Sequence, residues 1–211
     1  MKSLPSSPFI YPLTDRKLAG SAPIGEIIRA LCSGGARLIQ LREKGSTARE
    51  FLETALEAVA AARACGARLL VNDRVDIACL ADADGAHLGD KDFPPSEARL
   101  LLGPKAIIGI SCHSLEDVEA ATGEPVDYIA VGSVFPTDTK VLRFPVVGTE
   151  MIRQARTLSS LPIVAIGGIT RDNAAEVIAA GADGIALISE LMVPGEIGSR
   201  TRELVSAIDR A

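Results

Sequence analysis

The stretches GGARLIQL (34–41), CGARLLVN (65–72), DADGAHLG (82–89) and AGADGIAL (180–187) repeat one junction. Gly35, Gly66 and Gly181 each follow a stretch of helical period and precede Ala and a short apolar run. Glycine tolerates the left-handed backbone that ends a helix, so these positions read as helix stops. The runs after them are apolar and partly β-branched, as in strands buried on both faces. Working outward from these junctions yields eight such runs: 9–14, 37–41, 68–72, 85–88, 106–111, 128–132, 163–166 and 184–188. Between them, Ile24, Ile27, Ile28 and Leu31 share one helical face, as do Phe51, Leu52, Ala55, Leu56 and Val59. Thr47 with Glu50 forms a capping box, and Ser114 is an N-cap with Asp117 in the first turn. Pro23 and Pro95 suit first-turn positions.

Eight β-α units in 211 residues average about 26 residues each, near the small end of a (β/α)8 TIM barrel. A doubly wound open sheet is the alternative, but Leu13-Thr14-Asp15 follows the first strand where a glycine fingerprint belongs. The expected fold is therefore α/β, a single barrel over 9–211 behind a flexible tail at 1–8. The chain is 47% hydrophobic and 23% charged, enough apolar content for a full core. Its net charge of −5 and 3% aromatic content argue against a nucleic-acid partner. No apolar stretch reaches the ~18 residues of a membrane span, and residues 1–8 lack the apolar block of a signal peptide. The four cysteines form no C-x-x-C pair, which suggests reduced thiols and a cytoplasmic location. A homo-oligomer through the helical shell is left open.

A barrel site lies at the C-terminal ends of its strands. There the chain places Thr14-Asp15, Gln40 to Lys44, Asn72-Asp73-Arg74, His87 to Asp92, Ser111-Cys112-His113, Ser133 with Phe135 to Lys140, Gly167-Gly168 and Ser189-Glu190. Asp73 and Asp92, on adjacent strand ends, suit a hard divalent ion such as Mg²⁺. Arg42, Lys44 and Lys140 suit a polyphosphate facing that ion. Gly167-Gly168 with Ser189 suits a phosphate held by backbone N–H groups after strands 7 and 8. The segment 133–148 is the longest connection and reads as a lid or binding loop, with Thr137 and Thr139 as anion ligands. The picture is a diphosphate substrate beside a monophosphate substrate. Of the two histidines, His87 reads as structural inside a strand and His113 as facing the pocket.

Taken together, QLREK (40–44), NDR (72–74), HLGDKD (87–92), Ser111-Cys112-His113, GSVFPTDTK (132–140), AIGGI (165–169) and GADGIALIS (181–189) resemble the thiamine phosphate synthase family. The resemblance runs in order from Tyr11 to Ser189. It implies a (β/α)8 enzyme that joins a hydroxymethylpyrimidine diphosphate to a thiazole phosphate, releasing diphosphate by a dissociative route. It further implies that Gln40, Leu41, Arg42, Glu43, Lys44, Asn72, Ser111 and Lys140 hold the pyrimidine diphosphate, with Arg42, Lys140 and Ser111 catalytic. Asp73 and Asp92 would carry Mg²⁺, and Thr137, Asp138, Thr139, Gly168, Ile188 and Ser189 the thiazole phosphate. Asp90 stands where the family usually has Gln. Two alternatives share the barrel: a thiazole tautomerase using His113 for proton transfer, and a non-catalytic thiamine-phosphate-binding paralogue. The retained Arg42, Lys44, Asp73, Asp92 and Lys140 favour the synthase, because a tautomerase has no diphosphate to bind.

Overall fold

The computed structural model describes residues 3–137, 139 and 144–209. The expected strands form at β1 (Phe9–Pro12), β2 (Leu38–Leu41), β3 (Arg68–Asn72), β4 (Gly85–Leu88), β5 (Ile107–Cys112), β6 (Tyr128–Val131), β7 (Ile163–Ile166) and β8 (Gly184–Leu187). Neighbours pair in parallel in the order β1-β8-β7-β6-β5-β4-β3-β2. The ring closes between the first and second strands through a bridge from Leu13 to Gln40. The first run stops as a strand at Pro12 rather than Thr14: the Leu13 N–H still reaches Leu187 O, but the Thr14 N–H turns to Gln40 O. The chain thus changes partner at the closing seam.

Around the sheet lie α1 (Arg16–Ala19), α2 (Ile24–Ser33), α3 (Ala48–Ala64), α4 (Val75–Leu80), α5 (Pro95–Leu102), α6 (Leu115–Ala121), α7 (Gly148–Leu158), α8 (Ala174–Ala179) and α9 (Ile197–Ile208). The repeated junction has a physical meaning. Ala36, Ala67, Ala83 and Ala182 each donate back to the fifth preceding carbonyl, at Leu31, Ala62, Ala78 and Val177. The residue before each is left-handed: Gly35, Gly66, Asp82 and Gly181. This is the Schellman stop, which satisfies helix-end carbonyls and turns the chain into the next strand. Both capping boxes form. The α3 stripe differs from expectation, since Leu56 is exposed and the buried set is Phe51, Ala55, Ala58, Val59, Ala61 and Ala62. Small alanines on that face let α3 lie close to its neighbours, and Leu56 falls outside it.

Side chains alternate along each strand. One set packs outward under the helices; the other fills the barrel with Phe9, Tyr11, Leu13, Leu38, Leu70, Ile107, Tyr128, Ala130, Val164 and Ala186. Leu4, in the stretch before β1, packs against this inner cluster. Three aspartates tie strands together in pairs. Asp84 accepts from Leu69 N at 2.9 Å, Asp127 from Ile108 N at 2.8 Å and Asp183 from Ile163 N at 2.8 Å. Each aspartate's own N–H returns a bond to the carbonyl of that same residue. Arg99 braces Asp127 and Arg156 braces Asp183. Asp183→Ala strands the buried Ile163 N–H, which costs about 1–3 kcal/mol. A lower urea midpoint with an unchanged slope is the expected outcome of chemical denaturation.

Candidate active site

The inward-facing residues at the strand ends open into one cavity of about 660 Å³. Tyr11, Gln40, Asn72, His87, Ser111, Ala130, Val164, Ile166 and Ile188 line it. These positions share the strand parity of the apolar filling, so the pocket is the uppermost layer of the barrel interior.

At the β1–β2 side, Asp15 caps α1 by accepting from Lys17 N at 3.0 Å and Leu18 N at 3.3 Å. The same carboxylate pairs with Arg42 at 2.8 Å. Thr14 Oγ1 accepts from Arg42 N at 3.0 Å, which fixes the Arg42 backbone against β1. Arg42 therefore stands at the mouth with its charge half-buried and its orientation held. Beside it, Lys44 Nζ lies 2.6 Å from Asp73 Oδ2. Asp73 adopts a left-handed backbone at φ 64°, which aims its carboxylate at the β4 exit. There Asp92 accepts from Gly89 N at 2.7 Å. Burial raises the Asp92 carboxyl above its ordinary range; the Gly89 N–H opposes this, and the Asp73 charge adds to it. Lys44 is the cation this carboxylate pair faces, and its charge opposes the rise at Asp92. Among the described residues no three His, Cys, Asp or Glu side chains converge as a closed metal cage. Two carboxylates are the donor set of a Mg²⁺ that also takes oxygens from a ligand.

At the β6–β8 side the groups are hydroxyls and backbone. Thr137 Oγ1 donates to Thr139 Oγ1 at 3.2 Å, and Thr139 Oγ1 donates to Ser189 Oγ at 3.0 Å. Gly167 and Gly168 have φ of 104° and 63°. A Cβ on Gly168 would meet Pro136 O at 2.4 Å and Phe135 Cβ at 2.7 Å, so the start of the long loop lies directly on this glycine pair. The Val134 N–H bonds to Ile166 O and the Phe135 N–H to Gly167 O, which pins the loop there. Asn173 Nδ2 donates to Gly168 O at 3.1 Å and holds the turn from below. Thr137, Thr139, Gly168, Ile188 and Ser189 all line the cavity.

The expected residues divide by place. Gln40, Arg42, Asn72 and Ser111 line the cavity. Lys44, Asp73 and Asp92 form the charged cluster next to it. Leu41 is wholly buried in the outer core, and Glu43 lies near Arg16 at 3.7 Å with Oε2 buried and without a hydrogen bond. Asp138 and Lys140 lie outside the described residues. The two histidines exchange the places expected of them. His87 lines the cavity and reaches Ser111. His113 instead holds Gly132 O through Nδ1 at 2.6 Å, with its ring stacked on Phe144 at 4.0 Å. Tyr11 and Tyr128 were not singled out from the sequence either. The signal was parity: His87 pairs in register with Asn72 on one side and Gly109 on the other, so it faces inward with Gln40 and Ser111.

The site therefore sits at the C-terminal strand ends of a closed parallel barrel, where a (β/α)8 enzyme carries its active site, with hydroxyls and a glycine pair after β7 and β8 and charged side chains after β2 to β4. A family model described as thiamine monophosphate synthase matches residues 10–191. The chain is 42% identical over 96% of its length to the thiamine-phosphate synthase of Moorella thermoacetica, covering 96% of that protein. It is 43% identical over 92% of its length to that of Methanospirillum hungatei, covering 94% of it. A solved thiamine phosphate pyrophosphorylase from Pyrococcus furiosus superposes with a TM-score of 0.85 at 39% identity, with 96% of each chain covered. The chain belongs to the thiamine monophosphate synthase family of enzymes.

Gly168→Ala is expected to push Phe135 and Pro136 off the glycine pair. Faster limited proteolysis within 133–148, at a lower melting temperature, is the measurable result.

Proposed function

We propose that the enzyme transfers the pyrimidinylmethyl group of 4-amino-2-methyl-5-(diphosphooxymethyl)pyrimidine to the ring nitrogen of 4-methyl-5-(2-phosphooxyethyl)thiazole. The products are thiamine phosphate and diphosphate. The observation that carries this reading is one cavity lined by Arg42 and Asn72 on one side, next to the Lys44–Asp73 pair, and by Thr137, Thr139 and Ser189 on the other. Family membership and relatives named for this activity support it.

In this reading Gln40, Asn72 and Ser111 hold the pyrimidine ring, and Arg42 and Lys44 face its diphosphate. Lys140 completes the cationic set. Mg²⁺ carried by Asp73 and Asp92 supplies charge neutralisation to the diphosphate when bound. The methylene C–O bond breaks first, diphosphate leaves with the electron pair, and the thiazole nitrogen closes the C–N bond on the resulting cation. Negative charge grows on the leaving group, so Arg42 and Lys140 stabilise the transition state more than the ground state. The attacking nitrogen carries no proton, so no general base is needed. Thr137, Asp138, Thr139, Gly168, Ile188 and Ser189 fix the thiazole phosphate so that its nitrogen faces the reacting carbon. His113, the proton carrier named for the isomerase alternative, is engaged with Gly132 and Phe144. Four free thiols suit a reducing cytoplasm.

A product assay with both substrates and Mg²⁺ tests the reading. Thiamine phosphate is expected to form, to vanish with EDTA and to be lost in Asp73→Ala. A well-folded protein that makes no product overturns the synthase reading, and EDTA-resistant turnover overturns the metal assignment. Lys140→Ala is expected to lower kcat by about 100-fold, the scale of one lost preorganised donor.

A further inference from the structure

Away from the cavity, one region of the helical shell has no role in the barrel or in the site. Among the described residues, the three large apolar side chains with the most surface in water are Leu100 at 77%, Leu80 at 66% and Leu101 at 53%. They share one place. α4 and α5 pack side by side. Leu80 is the last residue of α4, and Leu100 and Leu101 stand in the last turn of α5. Cys79, also exposed, joins the two helices, its Sγ 3.9 Å from Leu101 O. A single exposed leucine is ordinary, whereas a contiguous apolar patch marks a surface that something covers.

Helical geometry shows that these leucines are outside by position. α5 buries Pro95 and Ala98 against the barrel. Arg99 turns to one flank, where it reaches Pro125 O and Asp127. Leu100 stands about 200° round the helix from Ala98, on the crest, and Leu101 lies on the flank opposite Arg99, toward α4. Neither fills the core, and Lys or Glu would serve the helix as well.

The charges around the patch point to its occupant. Arg74 pairs with Asp76 and Arg63 with Asp82, so these charges are compensated within the chain. Glu97 and Lys105 are exposed, and neither forms an ion pair with another described residue. They stand four residues before and four residues after Leu101, one acidic and one basic. A two-fold axis through Leu101 therefore sets Glu97 against Lys105 of the partner subunit, and Lys105 against the partner's Glu97, in one operation. An isologous interface needs a patch complementary to itself, with an apolar centre and a polar rim. This patch has both.

We propose that the chain forms a two-fold dimer through the α4–α5 face, with Leu80, Leu100 and Leu101 at its centre and reciprocal Glu97–Lys105 pairs at its rim. The leucines stand at helix C-termini, the end of the barrel opposite the strand-end mouth, so both cavities stay open to substrate.

Light scattering after size exclusion tests this on the full chain. At about 100 µM, where a dimer of micromolar Kd is nearly complete, the expected mass is twice the 22.0 kDa of one chain. Leu100→Glu is expected to give the single-chain mass with an unchanged urea midpoint, because that side chain is mostly in water already. Glu97→Lys sets like charges face to face and is expected to raise the dimer Kd at least about tenfold, as is Lys105→Glu. The double variant exchanges the signs, restores both pairs and is expected to return Kd to within about threefold of the original. A single-chain mass for the unaltered protein overturns the proposal. So does a dimer that Leu100→Glu leaves intact, or a pair of charge reversals that do not rescue each other. No substrate enters the measurement, so its outcome is independent of the synthase reading.

Discussion

The seam between the first and second strands is the constraint on which the rest depends. A parallel sheet of eight strands has no free edge only if its ends meet, and here they meet through one bridge from Leu13 to Gln40. That short ladder is completed by side chains: Thr14 Oγ1 accepts from Arg42 N, and Asp15 pairs with Arg42. Gln40 and Arg42 are also cavity residues. Closing the barrel and building the cationic side of the site are therefore one set of interactions. Losing the seam would expose two strand edges and release Arg42 together.

The barrel interior changes character along its axis. Below, Leu38, Leu70, Ile107 and Phe9 fill it with apolar volume. Above, the same parity of positions carries Gln40, Asn72, His87 and Ser111. Burying polar groups is costly unless each finds a partner. The line from Gln40 through Tyr11, Tyr128 and His87 to Ser111 meets much of that cost internally. At the opposite face of the barrel, Asp84, Asp127 and Asp183 do structural work, each clamping the strand before its own. The aspartates at the two ends differ in their partners. Those at the base are matched to backbone N–H groups, whereas Asp73 and Asp92 face each other at the mouth.

Much of the architecture was legible in the letters. The Gly-Ala junctions announced helix stops because the left-handed backbone there favours glycine, and Asp82 shows the same stop without one. The strand runs were readable because both faces of a parallel strand are buried. The capping boxes at Thr47 and Ser114 were local and formed as read. Leu56 was misplaced on α3 because helical period alone does not say how wide the buried stripe is; the alanines around it do, once α3 has packed.

The sequence by itself determined which residues crowd the strand ends, since loop polarity and strand length are local properties. Only the tertiary structure decided which of them face one another. His87 and His113 are the clearest case. Both sit next to strand ends, but inward or outward depends on register with strands far away in the chain, and register places His87 inside against Ser111 and Tyr128. His113, one residue past β5, is captured by Gly132 O and Phe144 instead. The pairing of Lys44 with Asp73 and of Arg42 with Asp15 likewise spans nearly thirty residues and exists only once the barrel has closed.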